Sequence, residues 1–141
     1  MKKRFMLYVA LLVSVLLLSG CSFFIFDDSD EIVTTDKTIS QGDLTRVTSY
    51  LLEKVPNIRA EKAKLATGDK KVKLTLSIIS SPDPNYTKND PDYPYHAYYY
   101  WVYVSYMTKD RLEKYNTYLV QKDLAGIYRA DSETDSFIKV A

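Results

Sequence analysis

Between Tyr95 and Met107 the chain reads Tyr-His-Ala-Tyr-Tyr-Tyr-Trp-Val-Tyr-Val-Ser-Tyr-Met, with no proline, glycine, lysine, arginine or carboxylate. Aromatic and β-branched side chains crowd a helix but pack well on a pleated surface. The run therefore predicts one long strand and a sheet to hold it. Successive side chains point to opposite faces of a strand. One face would carry Tyr95, Tyr99, Trp101 and Tyr103, and the other His96, Tyr98, Tyr100, Val102, Val104 and Tyr106. Valine gains by leaving water, so the face with Val102 and Val104 is expected to be buried. Tyr99, Trp101 and Tyr103 then become candidates for a binding surface, because Tyr and Trp join a large apolar body to a polar tip. A purely structural role is the competing expectation, since aromatics are simply good strand formers.

The flanking segments set what this strand packs against. Leu44, Val47, Leu51 and Val55 recur at helical spacing and predict a helix over Gln41–Val55. Ser40 followed by Asp43 has the form of a capping box, and Pro56 disfavours helical geometry at Val55. Asn57–Ala66 fits either a bulged strand or a short second helix. Val72, Leu74, Leu76 and Ile78 alternate with polar residues and predict a half-buried strand over Lys71–Ser80. Ser81–Pro94 holds Pro82, Pro84, Pro91 and Pro94 among Asn and Asp residues, which excludes helix and central strand. A loop of that length in a small domain is usually functional or disordered, which makes its Tyr86 and Tyr93 candidate binding residues. Lys114–Lys122 predicts a further strand. Asp123-Leu124-Ala125-Gly126 predicts a tight turn with Gly126 free to take positive φ. Ile127–Ala130 and Phe137–Val140 predict short strands.

The expected fold is α+β: one N-terminal helix packed on an antiparallel sheet of about four to five strands. That order resembles the cystatin-like and NTF2-like rolls. The segment Tyr118-Leu-Val-Gln-Lys-Asp-Leu-Ala-Gly-Ile-Tyr128 is also similar to the closing hairpin of PepSY-type domains. These resemblances imply a fold and no chemistry. Cystatin-type protease inhibitors use a Gln-x-Val-x-Gly hairpin. After Gln121 the apolar residue and the glycine each fall one position late here.

At the other end, Met1-Lys2-Lys3-Arg4 is a cationic start, and Phe5–Leu18 is apolar apart from Ser14. The run is shorter than the roughly 20 residues that cross a bilayer, as in a secretory signal. It ends at Leu18-Ser19-Gly20-Cys21, which resembles the lipobox of bacterial lipoproteins. The resemblance implies cleavage before Cys21, a diacylglyceryl group on its thiol and a further N-linked acyl chain such as palmitate. Residues 1–20 would be the signal peptide, 21–38 a lipidated tether and 39–141 the single globular domain. Read instead as an uncleaved anchor, residues 5–26 nearly span a bilayer. The cationic start faces the cytoplasm in both cases, so the domain lies outside. A Gram-positive plasma membrane is slightly favoured over a Gram-negative outer membrane. In the tether, Phe23, Phe24 and Phe26 would sit near the lipid, and Asp27, Asp28, Asp30 and Glu31 would hold the domain off an anionic surface.

This address removes several function classes. Cys21 is the chain's one cysteine, and lipidation would leave no thiol for catalysis or a disulfide. Loss of Lys2, Lys3 and Arg4 from 19 basic residues against 18 acidic takes the formal charge from +1 to about −2, a poor basis for nucleic-acid binding. His96 is the one histidine, so a catalytic triad or a histidine metal site would have to be built around it. Asp90 and Asp92 could pair as acid and base but read as turn residues. No phosphate loop, Gly-x-Ser-x-Gly or His-Glu-x-x-His occurs. The expectation is a protein without catalysis, cofactor or metal that partners another envelope protein. Alternatives are a peptidoglycan binder using the aromatic strand, and an inhibitor or regulator of an extracytoplasmic hydrolase.

Overall fold

The computed structural model describes residues 28–91 and 93–141. Cys21, the residues before it that resemble a signal peptide, Phe23, Phe24, Phe26, Asp27 and Asp92 therefore lie outside the described residues. In chain order the elements are β1 (Glu31–Thr34), α1 (Gln41–Lys54), α2 (Asn57–Leu65), β2 (Lys73–Ser80), α3 (Tyr95–Tyr98), β3 (Tyr99–Met107), β4 (Leu112–Gln121), β5 (Ile127–Asp131) and β6 (Ser136–Lys139). The strands lie side by side in sequence order in one 6-stranded sheet. β1 runs parallel to β2, and every later pair is antiparallel.

The helix layer covers one face. Ser40 caps α1: its Oγ accepts from the Asp43 amide at 3.0 Å and donates to the Asp43 carboxylate at 2.8 Å. Leu44, Val47, Leu51 and Val55 from α1, with Ile58 from α2, share a core with Leu74, Leu76, Ile78, Val102, Val104 and Val120 of the sheet. Each such side chain contributes about 1.5–3 kcal/mol by leaving water. Two polar groups sit in this layer with their partners supplied. The Thr48 hydroxyl donates to the Leu44 carbonyl at 2.8 Å, and the Tyr106 phenol donates to the Ile58 carbonyl at 3.0 Å.

The fold is α+β, as the element pattern predicts, but the sheet is neither purely antiparallel nor limited to four or five strands, and it carries more than one helix. Three causes account for the difference. Pro56 ends α1 and also opens α2, because its fixed φ suits a first helical turn. Ile58 and Leu65 then fall one above the other on the side of α2 that meets the core. The acidic stretch read as tether contains β1. Ile32 and Val33 pair with Leu76 and Ser77, a contact between segments distant in sequence. Two of its carboxylates pair with lysines of the domain: Asp30 meets Lys62 at 2.7 Å and Glu31 meets Lys73 at 2.7 Å.

The third cause is Pro94, which starts the single turn α3. The amides of Ala97 and Tyr98 both reach its carbonyl at 3.1 Å. The predicted strand is therefore cut at Tyr99, and His96 leaves the face that strict alternation assigns it and stacks on Trp101, whereas Tyr95 stays beside Tyr99. From Tyr99 onward the alternation holds: Tyr100, Val102, Val104 and Tyr106 are buried, whereas Tyr99, Trp101 and Tyr103 are half-buried. Positive φ in the β4–β5 turn falls on Leu124 (φ 59) and not on Gly126. Leu124 tolerates the left-handed geometry while its side chain packs against the core.

Candidate functional site

The sheet face opposite the helices closes itself with rings. Trp101, Leu119 and Tyr128 lie abreast on β3, β4 and β5. Leu119 is 0% exposed and lies outside the core that the helices share, with Trp101 and Tyr128 on either side of it in the ladder. A continuous chain of ring contacts runs across this face. Tyr86 stacks on His96 with centroids 4.8 Å apart, and His96 stacks on Trp101 at 4.8 Å with planes only 8° apart. Phe137 of β6 meets the Trp101 ring at 5.8 Å with planes at 85°, and Tyr95 meets Phe137 at 4.8 Å. Tyr95 continues to Tyr99 at 6.3 Å, and Tyr99 to Tyr128 at 5.8 Å. The Trp101 Nε1–H donates to the Tyr95 carbonyl at 3.3 Å, which fixes the short helix α3 to the strand after it.

The sequence-predicted residues divide into two kinds. Tyr99 and Trp101 sit in the middle of the ring chain and are half-buried. Trp101 has one face against His96 and an edge-on neighbour in Phe137, so little of its ring is open to a ligand. Burial, and then Tyr128 beside it, holds the Tyr99 phenol above its usual pKa. Tyr103 lies apart, stacked on Tyr115 with centroids 5.2 Å apart, and burial followed by Tyr115 raises its pKa. Tyr86 is exposed at the outer end of the stack. Tyr93 bonds Tyr98 hydroxyl to hydroxyl at 2.9 Å. That bond raises the Tyr93 pKa. His96 is a ring in the stack, and Asp90 closes a turn by accepting from the Thr87 amide.

Three of the exposed rings cluster at one end of the sheet, while Tyr115 is exposed apart from them. Tyr86, Tyr95 and Tyr98 are exposed there, and Lys122 lies 4.8 Å over the Tyr98 ring. Tyr95, Tyr98, Tyr115 and Phe137 are absent from the candidates read off the sequence. Only the β6 pairing brings Phe137 to Trp101, and only the α3 turn brings Tyr98 to Tyr93. The composition of the segment Tyr93–Tyr99 was the one available signal.

Beside this cluster lies an open cleft of about 570 Å³ between the β1–α1 connection and the Pro-rich loop, lined by Asp36, Thr38, Ile79, Ser81, Asp83 and Tyr86. Its carboxylates serve the backbone. Asp36 accepts from the Ser81 amide at 2.8 Å and from the Thr38 amide and hydroxyl at 2.8 and 2.6 Å. Hydrogen bonds from Ser81 and then Thr38 bring its pKa down to about 2. Asp83 accepts from the Asn85 amide at 2.9 Å. Among the described residues, no three His, Cys, Asp or Glu side chains are grouped to hold a metal ion. No protein-family model, curated protein or solved structure matches the chain. The cystatin-like, NTF2-like and PepSY-type resemblances thus gain no support from that side.

Proposed function

We propose that this chain is a membrane-anchored extracytoplasmic lipoprotein, held by a diacylglyceryl group on Cys21, whose domain binds another envelope protein without catalysis. The observation that carries this reading is the uneven exposure of the aromatic residues. Rings in the middle of the helix-free face pack against one another, while Tyr86, Tyr95 and Tyr98 stay open at one end, beside the Pro-rich loop. Exposed tyrosines on a rigid scaffold bind a protein partner with little loss of side-chain entropy, since each has few rotatable bonds. Lys122 over Tyr98 adds a cation to the same patch.

The test is capture of envelope proteins by the full-length lipidated protein, compared with Tyr86→Ala and Tyr98→Ala. Both residues are exposed, so loss of a specific partner in folded variants reports on the surface and not on stability. Trp101→Ala is the poorer probe, because it removes a packed ring. Equal capture by both variants would defeat the reading. A peptidoglycan binder is the second reading, supported by the separate Tyr103–Tyr115 pair, whose outer ring is 57% exposed. Binding to purified peptidoglycan that is lost in Tyr115→Ala and kept in Tyr86→Ala would favour it.

A further inference from the structure

The tether and the sheet together fix which end of the domain meets the lipid. This inference rests on the reading of Cys21 as the anchor. Fully extended, the chain from Cys21 to Asp28 reaches no more than about 25 Å. The slack ends at Asp28, because the Lys62 ammonium donates to its carbonyl at 2.8 Å and to the Asp30 carboxylate at 2.7 Å. From there the chain enters β1 at Glu31, opposite Thr75. β1 is parallel to β2, so it starts at the end of the sheet where β2 starts. At that end Lys73 lies opposite Met107, and Met107 opposite Leu112. The tip of the β3–β4 hairpin is therefore two strands from the point where the chain enters, about 10 Å sideways.

The tip itself, residues 108–111, is polar, and one exposed apolar side chain stands on each strand just behind it. Met107 is 41% exposed and Leu112 44% exposed, and Lys109 and Arg111 lie between them in sequence. Apolar side chains behind a polar tip suit the headgroup layer, where the polar groups of the tip stay among headgroups and water, and Arg111 there is paired with Glu113 at 3.0 Å. Acidic groups at the same end, such as Asp69 and Asp110, argue against purely electrostatic attraction. The short tether supplies the proximity. We propose that the domain stands on the bilayer with Met107 and Leu112 in the headgroup layer. β3 is 9 residues long, so its other end lies about 30 Å further out. Tyr86, Tyr93 and Tyr98 are then held at the membrane-distal end, facing a partner that approaches from the wall or the outside.

The test uses full-length lipidated protein in vesicles of phosphatidylcholine and phosphatidylglycerol. With Cys21 acylated, a cysteine introduced at Leu112 or at Asn85 is the sole free thiol and takes an environment-sensitive fluorophore. Nitroxide carried on the lipid headgroup should quench the Leu112 label about twofold or more and leave the Asn85 label nearly unchanged. Equal quenching at both sites, or stronger quenching at Asn85, overturns the proposed orientation. An unquenched Leu112 label on protein that floats with the vesicles overturns the docking and leaves the anchor standing. Full-chain Cys21→Ala protein that fractionates with membranes as wild type does would remove the anchor reading, and this proposal with it.

Discussion

Replacing Leu119 with alanine separates a packed aromatic layer from rings that merely lie on a sheet. Leu119 is 0% exposed on the face without helices, in register with Trp101 and Tyr128. The substitution removes three carbons at about 0.8 kcal/mol each and leaves a cavity that the rings only partly refill, so the loss is about 3 kcal/mol. With a urea dependence of about 1.5 kcal/mol per molar, the unfolding midpoint should fall by about 2 M. Trp101 is the one tryptophan and stands in the ring chain, so its fluorescence reports this layer directly, and far-UV circular dichroism reports the whole sheet. Both probes should shift together. Tyr115→Ala, at a residue more than half exposed, should cost less than about 1 kcal/mol. If Leu119→Ala costs as little as Tyr115→Ala, the rings do not exclude water and the reasoning about this face is wrong.

Other consequences are as specific. Tyr106→Phe removes the donor to the Ile58 carbonyl and should cost about 1 kcal/mol in denaturant unfolding. Ser40→Ala removes the α1 cap and should cost about 1 kcal/mol by the same measurement. Asp36 has its pKa lowered to about 2. Its contribution to stability is therefore fully present above the ordinary carboxylate pKa and lost as pH falls through about 2. Stability measured from pH 5 downward should fall less steeply in Asp36→Asn than in wild type, and identical slopes would show that the Ser81–Asp36 clamp contributes nothing.

Local pattern carried the sequence reading where one element decides its own structure. The α1 stripe, the β2 alternation and the buried Val102–Val104 face all follow from period and polarity within a single segment. The failures occur where a distant partner decides. Glu31–Thr34 is a strand only because β2 offers an edge to it. Asn57–Ala66, which its pattern leaves open between a bulged strand and a short helix, is a helix over Asn57–Leu65 because strong helix formers follow Pro56 and Ile58 meets the core. The binding candidates show the same division. The exposure of Tyr86 agrees with its place in a Pro-rich loop. The packed state of Trp101 was not legible, because it depends on His96 from α3 and Phe137 from β6.

The most direct test of the account is site-specific photo-crosslinking in the living source cell. A photoreactive phenylalanine derivative would replace Tyr86 or Tyr98 at the exposed-ring end, and Arg59 on the helix layer as the comparison. The account predicts a discrete adduct with one envelope protein from Tyr86 and Tyr98 and none from Arg59. Adducts from Arg59 alone, with the Tyr86 and Tyr98 proteins present at normal abundance and unlinked, would contradict it.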